Sequence, residues 1–412
     1  MKKLVLFTDG FPFLPGEVPF IYNELLALVQ MFDVCIVARV KSEKRDAVPV
    51  VEIPSEVKLL KYVIDDVDGR KKIKSLGYAL SKKAFYHELF RLLKVDRRLC
   101  VFKEMYTYLT ATRLFMEWLK SQIDIDSIDV FYTYWNSYAT LGISFLKNKA
   151  SRYKLVTRTH RYDLYNERTI YYRQYFKDYV DGKLDKVFFI AEHGMEYYID
   201  NFAKSDKSKY VMNNIGVVKA GSIPKKGNSD EFLLVSCSNV ISVKRVDLIV
   251  KALAQIEDLP IRWIHMGDGK QFDELKELCA TLLGDKKNIS YELLGRLTNV
   301  DVRKFYDNNY VDFFITTSAS EGSPVSIQEA LAYGIPIIGT TVGEVDRLVL
   351  GNGFLLKEDP EIEEVATAIK DAYALSTDEY LKMREQAFAK WKNKYDVKKN
   401  SEDFVQMLME LE

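Results

Sequence analysis

Glu321 and Glu329 flank the stretch "GSPVSIQ", which contains a glycine, a proline and no charge. Two carboxylates held this close suit hydrogen-bond donors such as sugar hydroxyls, because they would repel an anion placed directly between them. The turn itself suits an anion. Ser323 is placed to cap the following helix and Pro324 to take its first position. The first-turn amides would then face a ligand with the positive end of the helix dipole. A molecule with hydroxyls at both ends and phosphates in the middle satisfies both demands, and a nucleotide sugar is such a molecule.

The elements that must position these residues alternate along the chain. "KLVLFT", "DVCIVARV", "VFYTYW", "KLVTRTH" and "KVFFIA" read as buried strands, the first two joined by a Gly/Pro loop and a helix. The pattern restarts at "EFLLVSCS" and runs more regularly through "IRWIHMG", "ISYELLG", "VDFFITTS" and "IPIIGT". Two successive runs of this kind predict an α/β fold of two Rossmann-like doubly wound domains facing each other across a cleft. We place the domains at 1–215 and 216–395, with a helix over 396–412 returning to the first domain. The polar segment "NNIGVVKAGSIPKKGNSDE" is the linker. A basic helical insertion near 69–120 interrupts the first domain.

The 412 residues are 48% hydrophobic and 29% charged, with 59 basic and 59 acidic residues, so global charge selects no partner. The four cysteines are far apart and form no C-x-x-C pair. They read as buried free thiols, which fits the cytoplasm and argues against zinc. No apolar run reaches the length of a membrane span. "MKKLVLFTDGFPF" has too short an apolar run for a signal peptide and reads as the first strand.

"SEGSPVSIQEALAYGIPIIGT" resembles the E-x7-E element of retaining glycosyltransferases of the GT-B fold, family 4 in particular. "SCSNVISVKRVD", "IHMGDG", "ELLGRLTNVDVRKFYDNNYVDFFITTSASEG" and "VGEVDRLVLGNGFLL" are similar to that family in the same order. The likeness is looser in the first half, where it rests on "GFPFLPGEVPFIYNELLALVQMFDVCIVARV" and "TRTHRYD". The resemblance implies transfer of a sugar from a UDP- or GDP-linked donor to a glycan or lipid-linked acceptor, in bacterial surface polysaccharide or glycolipid assembly. It implies that Glu321 holds donor-sugar hydroxyls, Glu329 the ribose, and Lys244 the diphosphate leaving group. His160 would stand near the sugar and complete the catalytic set with Glu321 and Lys244. Gly16, Gly267 and Gly269 would let backbone approach the donor, Arg296 and Leu297 would hold the base, and Gly322, Ser323 and Val325 would line the helix start. Asn239 stands where the family commonly has an arginine, with Arg245 nearby as a substitute or directed elsewhere.

Blander readings stand beside these. "GDG" alone is a tight turn, His160 could be a structural hydrogen-bonding residue, and "YYRQYF" could be a packed helix face rather than a sugar-stacking surface. Asp163 reads as an orienting group rather than a base. No D-x-D cluster ends a strand, so neither a metal nor a cofactor is expected beyond the nucleotide sugar as co-substrate. A nucleotide-sugar epimerase of the same fold and a non-catalytic sugar- or nucleotide-binding protein are the rival functions. Finally, residues 69–103 carry eleven basic residues against Glu88 and Asp96, interleaved with Leu, Phe and Tyr. An anionic membrane surface is the expected partner of such a segment, nucleic acid is not, and a solvated helix face is the plain alternative.

Overall fold

A computed structural model describes residues 1–64, 69–203, 206–218, 221, 223–226 and 231–411, with the backbone alone at 69–73. The chain divides into two compact units. The first comprises Met1–Asn214 and Lys398–Glu412, the second Ile215–Val397.

The first unit is built on a parallel sheet. Its strands are β1 (Lys2–Thr8), β2 (Phe32–Lys41), β3 (Lys58–Ile64), β4 (Val130–Thr133), β5 (Lys154–Thr159), β6 (Lys186–Phe189) and β7 (Tyr210–Met212). They lie in the order β3-β2-β1-β4-β5-β6-β7. β1 explains its own place: five consecutive residues, Leu4 to Thr8, are buried, as a strand covered on both faces requires. β3 and β7 are not among the strands expected above. β3 is half-exposed, with Tyr62 its one buried residue, and β7 is three residues long, so neither produces a long apolar run.

Arg158 in β5 is the largest buried charge of this unit. Its guanidinium meets the Glu24 carboxylate at 2.5 Å and donates to Tyr132 Oη and to the Asn213 carbonyl and side chain. The Phe404 ring lies against it, 4.8 Å from the guanidinium carbon. Phe404 belongs to the last helix, Val397–Met409, and also packs on Tyr132 and Phe188 at 4.9 and 4.7 Å. The Asn213 side chain donates to the Asn400 carbonyl and the Asn400 side chain to the Asn214 carbonyl, tying the same helix down.

The second unit repeats the plan with β8 (Phe232–Cys237), β9 (Ile261–Met266), β10 (Ile289–Leu293), β11 (Phe313–Thr316), β12 (Ile337–Thr340) and β13 (Gly353–Leu356). All neighbours are parallel, in the order β10-β9-β8-β11-β12-β13. The order reverses between β8 and β11, and a doubly wound sheet opens its crevice beyond the carboxyl ends of the strands at such a switch point.

The insertion forms three helices, Gly69–Leu80, Lys83–Val95 and Leu99–Gln122. The side chains of Arg70, Lys71 and Lys72 lie outside the described residues. "YYRQYF" is a loop rather than a helix face: Tyr172 and Phe176 both have positive φ, which a helix forbids. Tyr175 and Phe176 are buried in the core of the first unit, which leaves Tyr172 as the exposed ring of that pair of turns.

Candidate active site

A cavity of about 430 Å³ lies at the switch point of the second sheet. One wall is the turn after β11. Lys244 Nζ donates to Glu321 Oε1 at 2.5 Å, and both side chains line the cavity. Arg245 brings them together. Its φ of 49° is left-handed, and its guanidinium donates to the carbonyls of Thr317 at 2.7 Å and Ser318 at 3.2 Å. It also pairs with Asp359 and the Glu358 carbonyl, both at 2.6 Å. Ala319 N–H to Val243 O, 2.8 Å, closes the same contact between the two loops. Arg245 is therefore not a substitute for the missing arginine. It is turned away from the cavity and acts as a clamp.

A second wall is the start of helix Val325–Ala332, with Val325, Ser326 and Glu329 on the cavity. Ser323 does not cap this helix. Pro324 is the cap residue, in extended conformation, and Ser323 Oγ accepts from Gln328 Nε2 at 2.8 Å instead. The helix thus begins one position later than expected. Its first amides still lack intrahelical acceptors and carry the positive end of the dipole. Burial pushes the Glu329 carboxyl up to about 7, with Arg303 acting weakly against it.

The third wall is a stack of loops following β8, β9 and β10. Ser238 N–H bonds Met266 O, Gly267 N–H bonds Gly295 O, and Val240 N–H bonds Asp268 O, all at 2.8–3.0 Å. This closeness is why glycines are needed. A Cβ on Gly267, whose φ is +143°, would lie 1.9 Å from the Ser238 carbonyl oxygen, and one on Gly269 2.4 Å from that of Val240. The glycines make room for the chain's own backbone. Asn239, Gly267, Arg296 and Leu297 line the cavity as expected, whereas Gly269, Gly322 and Ser323 do not. Ser238, Asp268 and Asn299 also line it and carry no distinguishing signal in the sequence beyond following strand ends.

The two remaining predicted residues belong to the first unit. Gly16 sits in a short 3-10 turn, Pro15–Glu17, where an added Cβ would meet nothing within 4 Å. No conformational or internal packing demand accounts for a glycine there. Its neighbour Glu17 is the organiser of that loop, accepting from the Phe11 and Asp9 amides and from Trp135 Nε1. His160, at the end of β5, is wedged beside Tyr134 and Trp135, ring centroids 4.6 and 4.3 Å away. Neither ring nitrogen has a hydrogen-bond partner among the described residues. Burial, helped by Arg158, holds its pKa well below the ordinary value, so the imidazole is neutral. Asp163 accepts from the His160 and Asn136 amides, both at 2.6 Å, as an orienting group would.

Two doubly wound parallel sheets, the second with a polar cavity at its switch point, define the GT-B class of glycosyltransferase folds. Solved structures agree. The chain aligns over 99% of its length with all of the lipopolysaccharide outer core galactosyltransferase WaaB, at TM-score 0.68 and 14% identity. It aligns over its whole length with 98% of a glycosyltransferase from Rickettsia africae, at TM-score 0.64 and 15% identity. Residues 221–390 match the family of glycosyl transferases group 1, and the chain thus carries a domain of that family.

Similar sequences include the GtfA subunit of the UDP-N-acetylglucosamine–peptide N-acetylglucosaminyltransferase of Streptococcus agalactiae, 24% identical over 71% of this chain and 59% of that protein. The O-antigen biosynthesis glycosyltransferase WbnH of Escherichia coli is 26% identical over 51% of this chain and 60% of its own length. The matched region thus spans about three fifths of these relatives. Among the described residues, no helix is long and apolar enough to cross a membrane.

Proposed function

We propose that this protein moves a sugar from a UDP- or GDP-linked donor to a hydroxyl of a glycan or lipid-linked acceptor, with retention at the anomeric carbon. The observation that carries the reading is the cavity at the β8–β11 switch point, where Lys244, Glu321, Glu329 and the start of helix Val325–Ala332 converge. The family match and the relatives named for peptide glycosylation and O-antigen biosynthesis support it, the latter favouring surface polysaccharide or glycolipid assembly. The four cysteines are unpaired, which suits the cytoplasm.

In the proposed reaction the bond from the anomeric carbon to the diphosphate oxygen breaks, and the nucleoside diphosphate departs with the electron pair. Lys244 and the first-turn amides stabilise the growing charge on the leaving oxygen. The acceptor oxygen bonds to the same face of the carbon, and its proton passes to the departing phosphate. Glu321 accepts hydrogen bonds from sugar hydroxyls and Glu329 from the ribose. Because cationic and amide groups neutralise the diphosphate, excess EDTA is expected to leave most activity intact. Loss of activity with recovery on adding magnesium or manganese would overturn that charge scheme.

A thermal-shift screen of nucleotide sugars tests the reading. A true donor at a hundred times its Kd stabilises the protein by about 2.7 kcal/mol, and mass spectrometry of acceptors then detects the product. Absence of any shift across UDP and GDP sugars would overturn the assignment. One observation favours a second reading, donor binding without transfer: Asn239 occupies the cavity wall where an arginine is expected, and Arg245 is turned away. Saturable donor binding with no product across a broad acceptor panel would establish it.

A further inference from the structure

Helix Lys83–Val95 turns Ala84, Glu88 and Leu92 inward, one residue per turn. The opposite face of such a helix is ordinarily polar. Here it presents Tyr86 and Phe90, and Leu93 beside them, at 42, 62 and 38% exposure. Lys83, Lys94, Arg97 and Arg98 are exposed among them. Between Lys74 and Lys103 no acidic side chain is exposed to answer these charges. Glu88 is buried against Arg91, and Asp96 accepts from Arg98 at 2.7 Å.

The loop containing residues 170–174 lies alongside. Arg91 donates to the Gln174 carbonyl at 3.1 Å, and Arg173 stands 3.9 Å from Asp96.

We propose that this face of the first unit binds an anionic lipid surface, with Tyr86, Phe90 and Leu93 entering the headgroup boundary and Lys83, Lys94 and Arg97 meeting lipid phosphates, Arg98 being held by Asp96. Protein-binding faces are depleted in lysine. A strip that is both apolar and solely cationic has the composition of an interfacial helix. Not every basic residue of the segment takes part. Lys82 Nζ sits over the Tyr78 and Phe145 rings at 4.7 and 5.4 Å, and Arg91 is committed to Glu88 and Gln174, so both hold the fold together.

The test is co-sedimentation of the full chain with vesicles of phosphatidylcholine alone and of phosphatidylcholine mixed with phosphatidylglycerol. Binding is expected to the mixed vesicles only, weakening as salt rises. Lys83→Ala, Lys94→Ala and Arg97→Ala together should reduce partitioning roughly a hundredfold, at about fivefold per cation. Phe90→Ser should reduce it as well, with the melting temperature of both variants unchanged because every altered side chain is exposed. Equal binding to both vesicle types, binding to neither, or unchanged binding by both variants overturns the proposal. So does a dimer in solution that Phe90→Ser dissociates while vesicles go unbound, since a second copy would then be the occupant. Vesicle binding is read without any sugar donor, so its outcome stands apart from that of the proposed transfer.

Discussion

Lys244 and Glu321 are bonded to each other, so each is the other's counter-charge until an anion competes for the lysine. Lys244→Ala is expected to lower kcat/KM by about 2–4 kcal/mol, roughly thirty- to nearly a thousandfold. Glu321→Gln should lower kcat while nucleoside diphosphate affinity stays close to that of the parent, because this carboxylate serves the sugar. Glu329→Gln should act on the nucleotide itself. Steady-state kinetics with nucleotide titration separate the three, and small, equal effects would remove the assignment. Glu329 carries a second signature. Its folded-state pKa of about 7 lies above the ordinary 4.5, so the folded protein binds that proton more tightly than the unfolded chain does. The group therefore costs stability increasingly as pH rises from 4.5 to 7, and the cost is complete above that. Glu329→Gln should stabilise the protein at pH 8 by at most about 3 kcal/mol, with the advantage fading towards pH 5 in urea titrations. A pH-independent difference would mean that the carboxyl is not so buried.

Two of the predicted glycines, one in each unit, are under contrasting demands. Gly267→Ala forces a methyl group into the Ser238 carbonyl in a left-handed backbone, costing at least about 1–3 kcal/mol and displacing the Ser238–Val240 wall. Both stability and donor affinity should fall. Gly16→Ala meets open space, so its melting temperature should not change. If its activity falls all the same, the space beside Gly16 is used by substrate; unchanged activity would remove Gly16 from the site.

The loops that frame the cavity also show what a sequence can convey. Strands β8 to β12 and the Glu321–Glu329 turn are legible because regular apolar runs alternate with helices and end on the residues that line the cavity. The clamp of Arg245 is not legible, since a left-handed φ and four partners between Thr317 and Asp359 depend on tertiary approach. Nor is the cap of helix Val325–Ala332, where the Ser323 hydroxyl accepts from the Gln328 side chain instead of a first-turn amide. β3 escapes notice because one side of it is wet, and β7 because three residues carry no period.

At the scale of the molecule, the first unit owes part of its core to the last helix. Phe404 is fully buried among Tyr132, Phe188 and Arg158, so Phe404→Ala should cost about 3–5 kcal/mol by denaturant titration. A loss under 1 kcal/mol would mean that the helix is only loosely docked. The same arrangement has a consequence for biosynthesis. Arg158, Tyr132 and Phe188 leave the ribosome early, but their covering residue follows only after the whole of Ile215–Val397 has been translated. The second unit has all its strands in one continuous stretch and needs no later segment to complete its core, while the first must wait with that apolar hollow uncovered. A chain truncated after Val397 should therefore show one protease-sensitive half and one resistant half, and the chain that includes the last helix should close the difference.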